Sequence, residues 1–300
     1  MKEKEFITII KNTLNSPYIG DDCAYLKDLG IVVTQDSLIE DIHFSTKFIS
    51  AFDLGFKAVM VNVSDVAASG AEPKYLTVSL SLPSNVKEDF VEEFYNGCKK
   101  ACGNDVQIVG GDITGSEKIY ISISAIGKTL GRNISSRKNA KIGQKVIVSG
   151  IHGSAGLKLL LEGKNSPEKF IKSHINPVAQ VEFGKNISTT VKEPHAMMDT
   201  SDGLMDGLST IANESGVLLD IDFDKIPYDK DIEQFENWQD LVLFGGEDYQ
   251  ILATVPQNFQ GGFEIGVVKE GLGVNLKLRD KITHYSKQDV EEKVFNHFKD

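Results

Sequence analysis

No apolar run in this chain approaches the ~18 residues that a membrane-spanning helix needs. The opening residues Met1 to Phe6 are charged and carry no apolar stretch of a secretory leader, so a cytoplasmic location is expected. Cysteine is scarce, and three is an odd number with no spacing that suggests a disulfide framework. Cys98 and Cys102 stand one helical turn apart in a stripe with Phe90 and Phe94, which fits buried, reduced thiols. Cys23 lies beside two aspartates, a poor setting for a thiolate nucleophile. Proline is also scarce, 8 residues against 27 glycines, which excludes collagen-like and Pro-rich classes. Positive charge is in deficit: 32 Lys and Arg face 43 Asp and Glu, a net charge of −11. Such a surface repels nucleic acid and anionic membrane, so neither is an expected partner. It also repels phosphorylated substrates, so any such substrate needs cations to mediate its binding.

Familiar phosphate and nucleophile motifs are missing as well. No G-x-x-x-x-G-K-[ST] loop occurs, and no G-x-G-x-x-G follows a strand. No G-x-S-x-G elbow is present. Gly150, Gly153 and Gly156 open a helical pattern whose free N–H groups suit either a phosphate or a tight packing turn.

What remains is an ordinary globular composition, 41% hydrophobic and 25% charged, in a chain of 33.0 kDa. That is long enough for two cores or one large one. β-Branched runs at 31–35, 75–82, 106–111 and 119–127 read as strands. Residues 52–68 read as a helix apolar on all faces. Asn85 with Glu88 suggests a capping box for a helix that closes at Gly103. A polar, basic segment at 132–144 suggests a boundary, giving domains 1–136 and 137–300. Beyond it come a strand at 145–150, a Gly-led helix over 153–163, and a strand running into a helix through 195–211. The predicted class is α/β (α+β), with a mixed α/β domain in each half.

The aspartates carry the chemistry. Asp22, Asp36, Asp65, Asp112, Asp199 and Asp202 each follow an apolar segment and sit near Gly, Ser or Thr. Such positions are expected at strand mouths and helix starts, where α/β folds put ligands. Any one of them is equally well a turn or cap residue. Six together point to a site for a hard cation, because converging carboxylates repel and oxygen-only ligands suit Mg²⁺.

In order, GDDCA, D-S-L-x-x-x-x-HF, N-x-SD-x-AA-x-GA-x-P, GGD, D-x-SDGL and GGEDY resemble the thiamine-monophosphate kinase family. That family is part of the superfamily of aminoimidazole ribonucleotide synthase and selenophosphate synthetase. The resemblance implies transfer of the γ-phosphoryl group of ATP to thiamine monophosphate, with several Mg²⁺ ions and ATP as co-substrate. It also implies a homodimer that pairs the N-terminal sheets. Carried over by position, Asp22, Thr34, Gln35, Asp36, Asp65, Asp112, Asp199 and Asp202 match metal ligands. Tyr95, Gly111, Asp112, Arg137 and Ser201 match nucleotide contacts, and His43, Glu247 and Phe295 match substrate contacts. Gln35 replaces the usual Ser or Thr, so only its carbonyl is expected to serve. Asp41 stands where the family commonly has Gly. Another acceptor within the superfamily, or a non-catalytic Mg–nucleotide module, stays open at this point.

Overall fold

The computed structural model describes residues 3–156, 160 and 166–294. After helix α1 (Glu3–Leu14), a five-stranded sheet is built from β1 (Ala24–Leu26), β2 (Ile31–Ile39), β3 (Glu72–Leu82), β4 (Gln107–Gly115) and β5 (Tyr120–Lys128). Its order is β1-β2-β5-β3-β4, with β3 and β4 parallel and the other pairs antiparallel. Strict alternation sets its faces: Ile121, Ile123 and Ala125 are buried, while Ser122 and Ser124 between them face the other way. The apolar face is covered by α2 (Ala51–Ser69) and α3 (Glu88–Cys102).

Helix α2 is buried on nearly every side, as its sequence requires. Ser50 caps its start by accepting from the Asp53 N–H, and Gly70 at φ 83 closes its end. It crosses α3 at two glycines. A Cβ on Gly55 would lie 1.9 Å from the Phe94 carbonyl, and one on Gly97 would lie 1.8 Å from the Phe52 carbonyl. Only residues without a side chain let the two backbones touch.

One helix start differs from expectation. α3 begins at Glu88 with Lys87 as its N-cap, and no side chain caps it. The Val86 N–H instead bonds to the Pro83 carbonyl at 3.0 Å, a turn that absorbs Asn85 and delays the helix.

The second sheet has seven strands in the order β12-β11-β8-β10-β6-β9-β7. They are β6 (Lys145–Val148), β7 (Met197–Asp199), β8 (Leu218–Asp222), β9 (Ile251–Val255), β10 (Phe263–Lys269), β11 (Gly273–Leu278) and β12 (Lys281–Tyr285). Helices α4 (Glu168–Ile175), α5 (Val181–Thr190), α6 (Leu204–Ser215), α7 (Trp238–Phe244) and α8 (Lys287–Glu291) accompany them. The Gly-led helix expected over 153–163 falls largely on 157–159 and 161–165, outside the described residues. A mixed α/β fold in each half is therefore borne out. The two halves share a core: Ala67 and Ala68 of α2 pack with Ile147, Ile187, Met197 and Ile251. All three cysteines are buried and unpaired, and burial pushes Cys98 up to about 12 and Cys102 to about 11.

Candidate active site: an acidic cleft lined by both halves

A cleft of about 1110 Å³ is lined from both halves of the chain. Its floor begins with an incomplete sheet edge. β1 pairs only with Ile31–Val33, so among the described residues no strand lies beyond Thr34 to Ile39 of β2. There the Asp36 N–H bonds to Asn62 Oδ1 of α2 at 2.9 Å, and Thr34 Oγ1 donates to Asp65 Oδ2 at 2.6 Å. Helix α2 therefore presents its few polar groups where the sheet stops. From the second half, Asp199 ends β7 and accepts from Ser64 Oγ at 2.6 Å. Asp202 and Ser201 follow in the loop before α6 and line the same cleft.

Asp22, Asp65 and Asp199 converge, with one oxygen of each within 4.8 Å of the others. Burial raises the Asp65 carboxyl well above its usual range, and Asp36, Asp199 and Asp22 add to this. Burial, then Asp22, raises Asp199 to about 7, against the opposing bond from Ser64. Asp22 is raised by burial too, but the Arg137 guanidinium 2.7 Å from its Oδ1 pulls the other way. Arg137 stays protonated despite its burial because Asp22 and Asp199 face it. Closely packed oxygen ligands whose charges resist ionisation fit a hard divalent cation such as Mg²⁺.

His43 and Glu247 also line the cleft. The Ile39 N–H donates to His43 Nδ1 at 3.0 Å, which leaves the neutral ring's proton on Nε2. Glu247 sits at φ 63, with its N–H on the Ser201 carbonyl at 2.7 Å. Asp41 has φ 63, which explains why glycine suits that position; its carboxylate meets Lys118 at 3.0 Å on the surface. Gln35 points to the outer face of the sheet, where its Oε1 accepts from Ser124 Oγ at 2.7 Å. Phe295 lies outside the described residues.

Two expectations need correction. The aspartates are not all at strand ends: Asp36 and Asp112 lie within β2 and β4, while Asp65 lies on α2, the helix expected over 52–68. Nor does one chain bring all the expected residues together. Asp36, Ile123, Val78 and Gly111 form one rung across four strands, so Gly111 is about 14 Å from Asp36 at ~4.8 Å per strand. Gly111 and Asp112 are exposed on the edge strand β4, and Tyr95 packs against Phe94 on α3; none of the three lines the cleft. Lys57, His174 and Tyr249 were missed. A lone lysine in an apolar helix was the available signal, since a buried ammonium requires a partner.

Comparison with known proteins places the chain in a family. Residues 20–129 match the family AIR synthase related protein, N-terminal domain. The thiamine-monophosphate kinase of Aquifex aeolicus is 40% identical over 286 residues, covering 89% of this chain and 92% of that protein. The Bacillus subtilis enzyme is 33% identical over 305 residues, covering 94% and 93%. The solved structure of AaThiL complexed with AMPPCP and TMP superposes with a TM-score of 0.85 at 37% identity, covering 95% of this chain and 97% of that one. The hydrogenase maturation protein HypE in complex with ATP shares the fold, with a TM-score of 0.74 at 21% identity and 92% of each chain covered. With its acidic cleft and this likeness over nearly its whole length, the chain belongs to the thiamine-monophosphate kinase family.

Proposed function

We propose that the cleft transfers the γ-phosphoryl group of ATP to the phosphate of thiamine monophosphate, releasing thiamine diphosphate and ADP. An oxygen of the acceptor phosphate bonds to the γ-phosphorus as the bond from that phosphorus to the β-bridging oxygen breaks. The carrying observation is the convergence of Asp22, Asp65 and Asp199 in an acidic cleft of this family. The acceptor is a phosphate monoester with a second pKa of about 6, so it is already ionised and needs no general base. Positioning and charge neutralisation supply the rate.

Mg²⁺ is our reading of the cation: Asp22, Asp65 and Asp199 would hold it with Asp36, Asp202 and the Thr34–Gln35 segment. When bound it neutralises the facing phosphates. His43 Nε2–H donates toward the acceptor phosphate, and Glu247 receives the acceptor's ring side. Arg137 and Ser201 serve the nucleotide. A homodimer formed through the five-stranded sheet gives Tyr95, Gly111 and Asp112 a role at the partner's cleft. The exposed Val109 and Ile113 on edge strand β4 support it, since an apolar open edge is a pairing surface. We take 1–136 and 137–300 as the two domains and the cytoplasm as the location, consistent with reduced thiols. Among the described residues no helix is long and apolar enough to cross a membrane.

An ADP-release assay with and without thiamine monophosphate tests the activity. Turnover is expected only with the acceptor present, and Asp65→Asn is expected to fold while losing activity by orders of magnitude. Near-normal turnover of that variant in saturating Mg²⁺ would refute the metal assignment. A sedimentation run that finds only monomer at micromolar concentration removes the dimer.

A further inference from the structure

We propose that Lys57 is a positioning residue that holds the Glu247 carboxylate in place for the acceptor. This rests on Glu247 being an acceptor contact. Lys57 lies in the middle of α2 and is 0% exposed. It does not line the cleft, whereas Glu247, His174 and Tyr249 do. Whatever it does for ligand binding therefore passes through the cleft residues it touches, Glu247 and His174.

The contacts define how. Lys57 Nζ meets Glu247 Oε2 at 2.5 Å and His174 Nε2 at 3.2 Å. His174 Nδ1 faces the Ala155 carbonyl at 2.8 Å, so Nδ1 carries the ring proton and Nε2 offers a lone pair to Lys57. Burial and then the Lys57 charge lower His174 to about 4, so its ring stays neutral and accepting. The second Glu247 oxygen is occupied too, because Tyr249 O–H donates to Oε1 at 3.2 Å. Glu247 and Tyr249 both adopt left-handed backbone, at φ 63 and 47, which is costly for residues with a Cβ. The segment accepts that cost at the two residues that aim this carboxylate. Burial alone would raise the Glu247 carboxyl, but the Lys57 charge and the bonds from Lys57 and Tyr249 hold it below the usual range. The result is an ionised, orientationally fixed acceptor built from α2, α4 and the loop after α7.

A ligand group that donates a hydrogen bond or carries positive charge is what such a carboxylate selects. Phosphate oxygens are repelled by it, which assigns it to the ring side of the acceptor and not to ATP. Steady-state kinetics of Lys57→Met, Glu247→Gln and the double variant test the proposal. Each single change is expected to raise KM for thiamine monophosphate on the order of tenfold or more, with KM for ATP and kcat little changed. The double variant is expected to match Glu247→Gln, because the lysine acts through the glutamate.

If Lys57→Met leaves KM for thiamine monophosphate unchanged while Glu247→Gln raises it, the positioning role falls and the Glu247 reading stands. If Glu247→Gln has no effect on that KM, both fall. Lys57→Met alone leaves the half-buried Glu247 carboxylate without its cation and can fail to fold. The double variant removes that charge, and a KM for thiamine monophosphate on the order of tenfold above that of Glu247→Gln would overturn the proposal.

Discussion

His43 shows how much chemistry a single contact assigns. Because the Ile39 N–H occupies Nδ1, the ring can only donate from Nε2 while neutral. His43→Ala is therefore expected to raise KM for thiamine monophosphate and leave KM for ATP nearly unchanged. A glutamine amide extends as far as Nε2, whereas an asparagine amide ends near Nδ1. His43→Gln is thus expected to recover more of the loss than His43→Asn. Equal recovery, or a collapse of kcat alone, would place His43 elsewhere in the reaction. The carboxylates were legible at this scale, because acids flanking Gly, Ser and Thr after apolar runs announce a site. Lys57 was not: its partner Glu247 is 190 positions away, and only folding brings them together.

At the scale of elements, α2 organises the molecule. Lys57, Val61 and Asp65 follow an i, i+4, i+8 line, so one narrow stripe of an apolar helix serves the cleft. The rest of the helix must then pack closely on every other side. Gly97→Ala at the α2–α3 crossing is expected to destabilise the fold by about 3 kcal/mol or more, because backbone cannot move out of the way. Gly115→Ala, where an added Cβ meets nothing within 4 Å, is the matched control. Chemical denaturation of the two variants checks this, and similar stabilities would show that the helices separate easily. The apolar character of α2 was readable from sequence. The start of α3 was not, since a proline turn competed with the capping signal for Asn85.

At the scale of the whole molecule, buried ionisable groups set the pH profile of stability. His152 is completely buried after β6, and burial lowers it to about 4 against a weaker opposing pull from the Gly150 carbonyl. A depressed folded-state value means that its contribution is full above about 6.5 and is lost as pH falls toward 4. The loss is on the order of 3 kcal/mol. Asp248, raised to about 7 by burial, acts in the opposite sense: its contribution is full below about 3.8 and is lost as pH rises through 7. Comparing wild type with His152→Phe cancels the shared Asp248 slope. The variant is expected to gain stability relative to wild type as pH drops from 6.5 to 4. A constant difference between the two denaturation curves across that range would mean that His152 is solvated or paired in its charged form.

By itself the sequence determined the fold class, the main strands, the buried helix, and the order of acidic motifs that mark the family. These follow from local periodicity and from residues adjacent along the chain, which need no tertiary information. Only the tertiary structure decided which acids meet. It gathered Asp22, Asp65 and Asp199 from both halves and left Asp112 on an open sheet edge. Strand order caused that separation, because β5 and β3 lie between β2 and β4, and no spacing along the chain encodes it. The Lys57–Glu247 pair depends on the same kind of fact: a charge buried in one half is satisfied only when the other half folds against it.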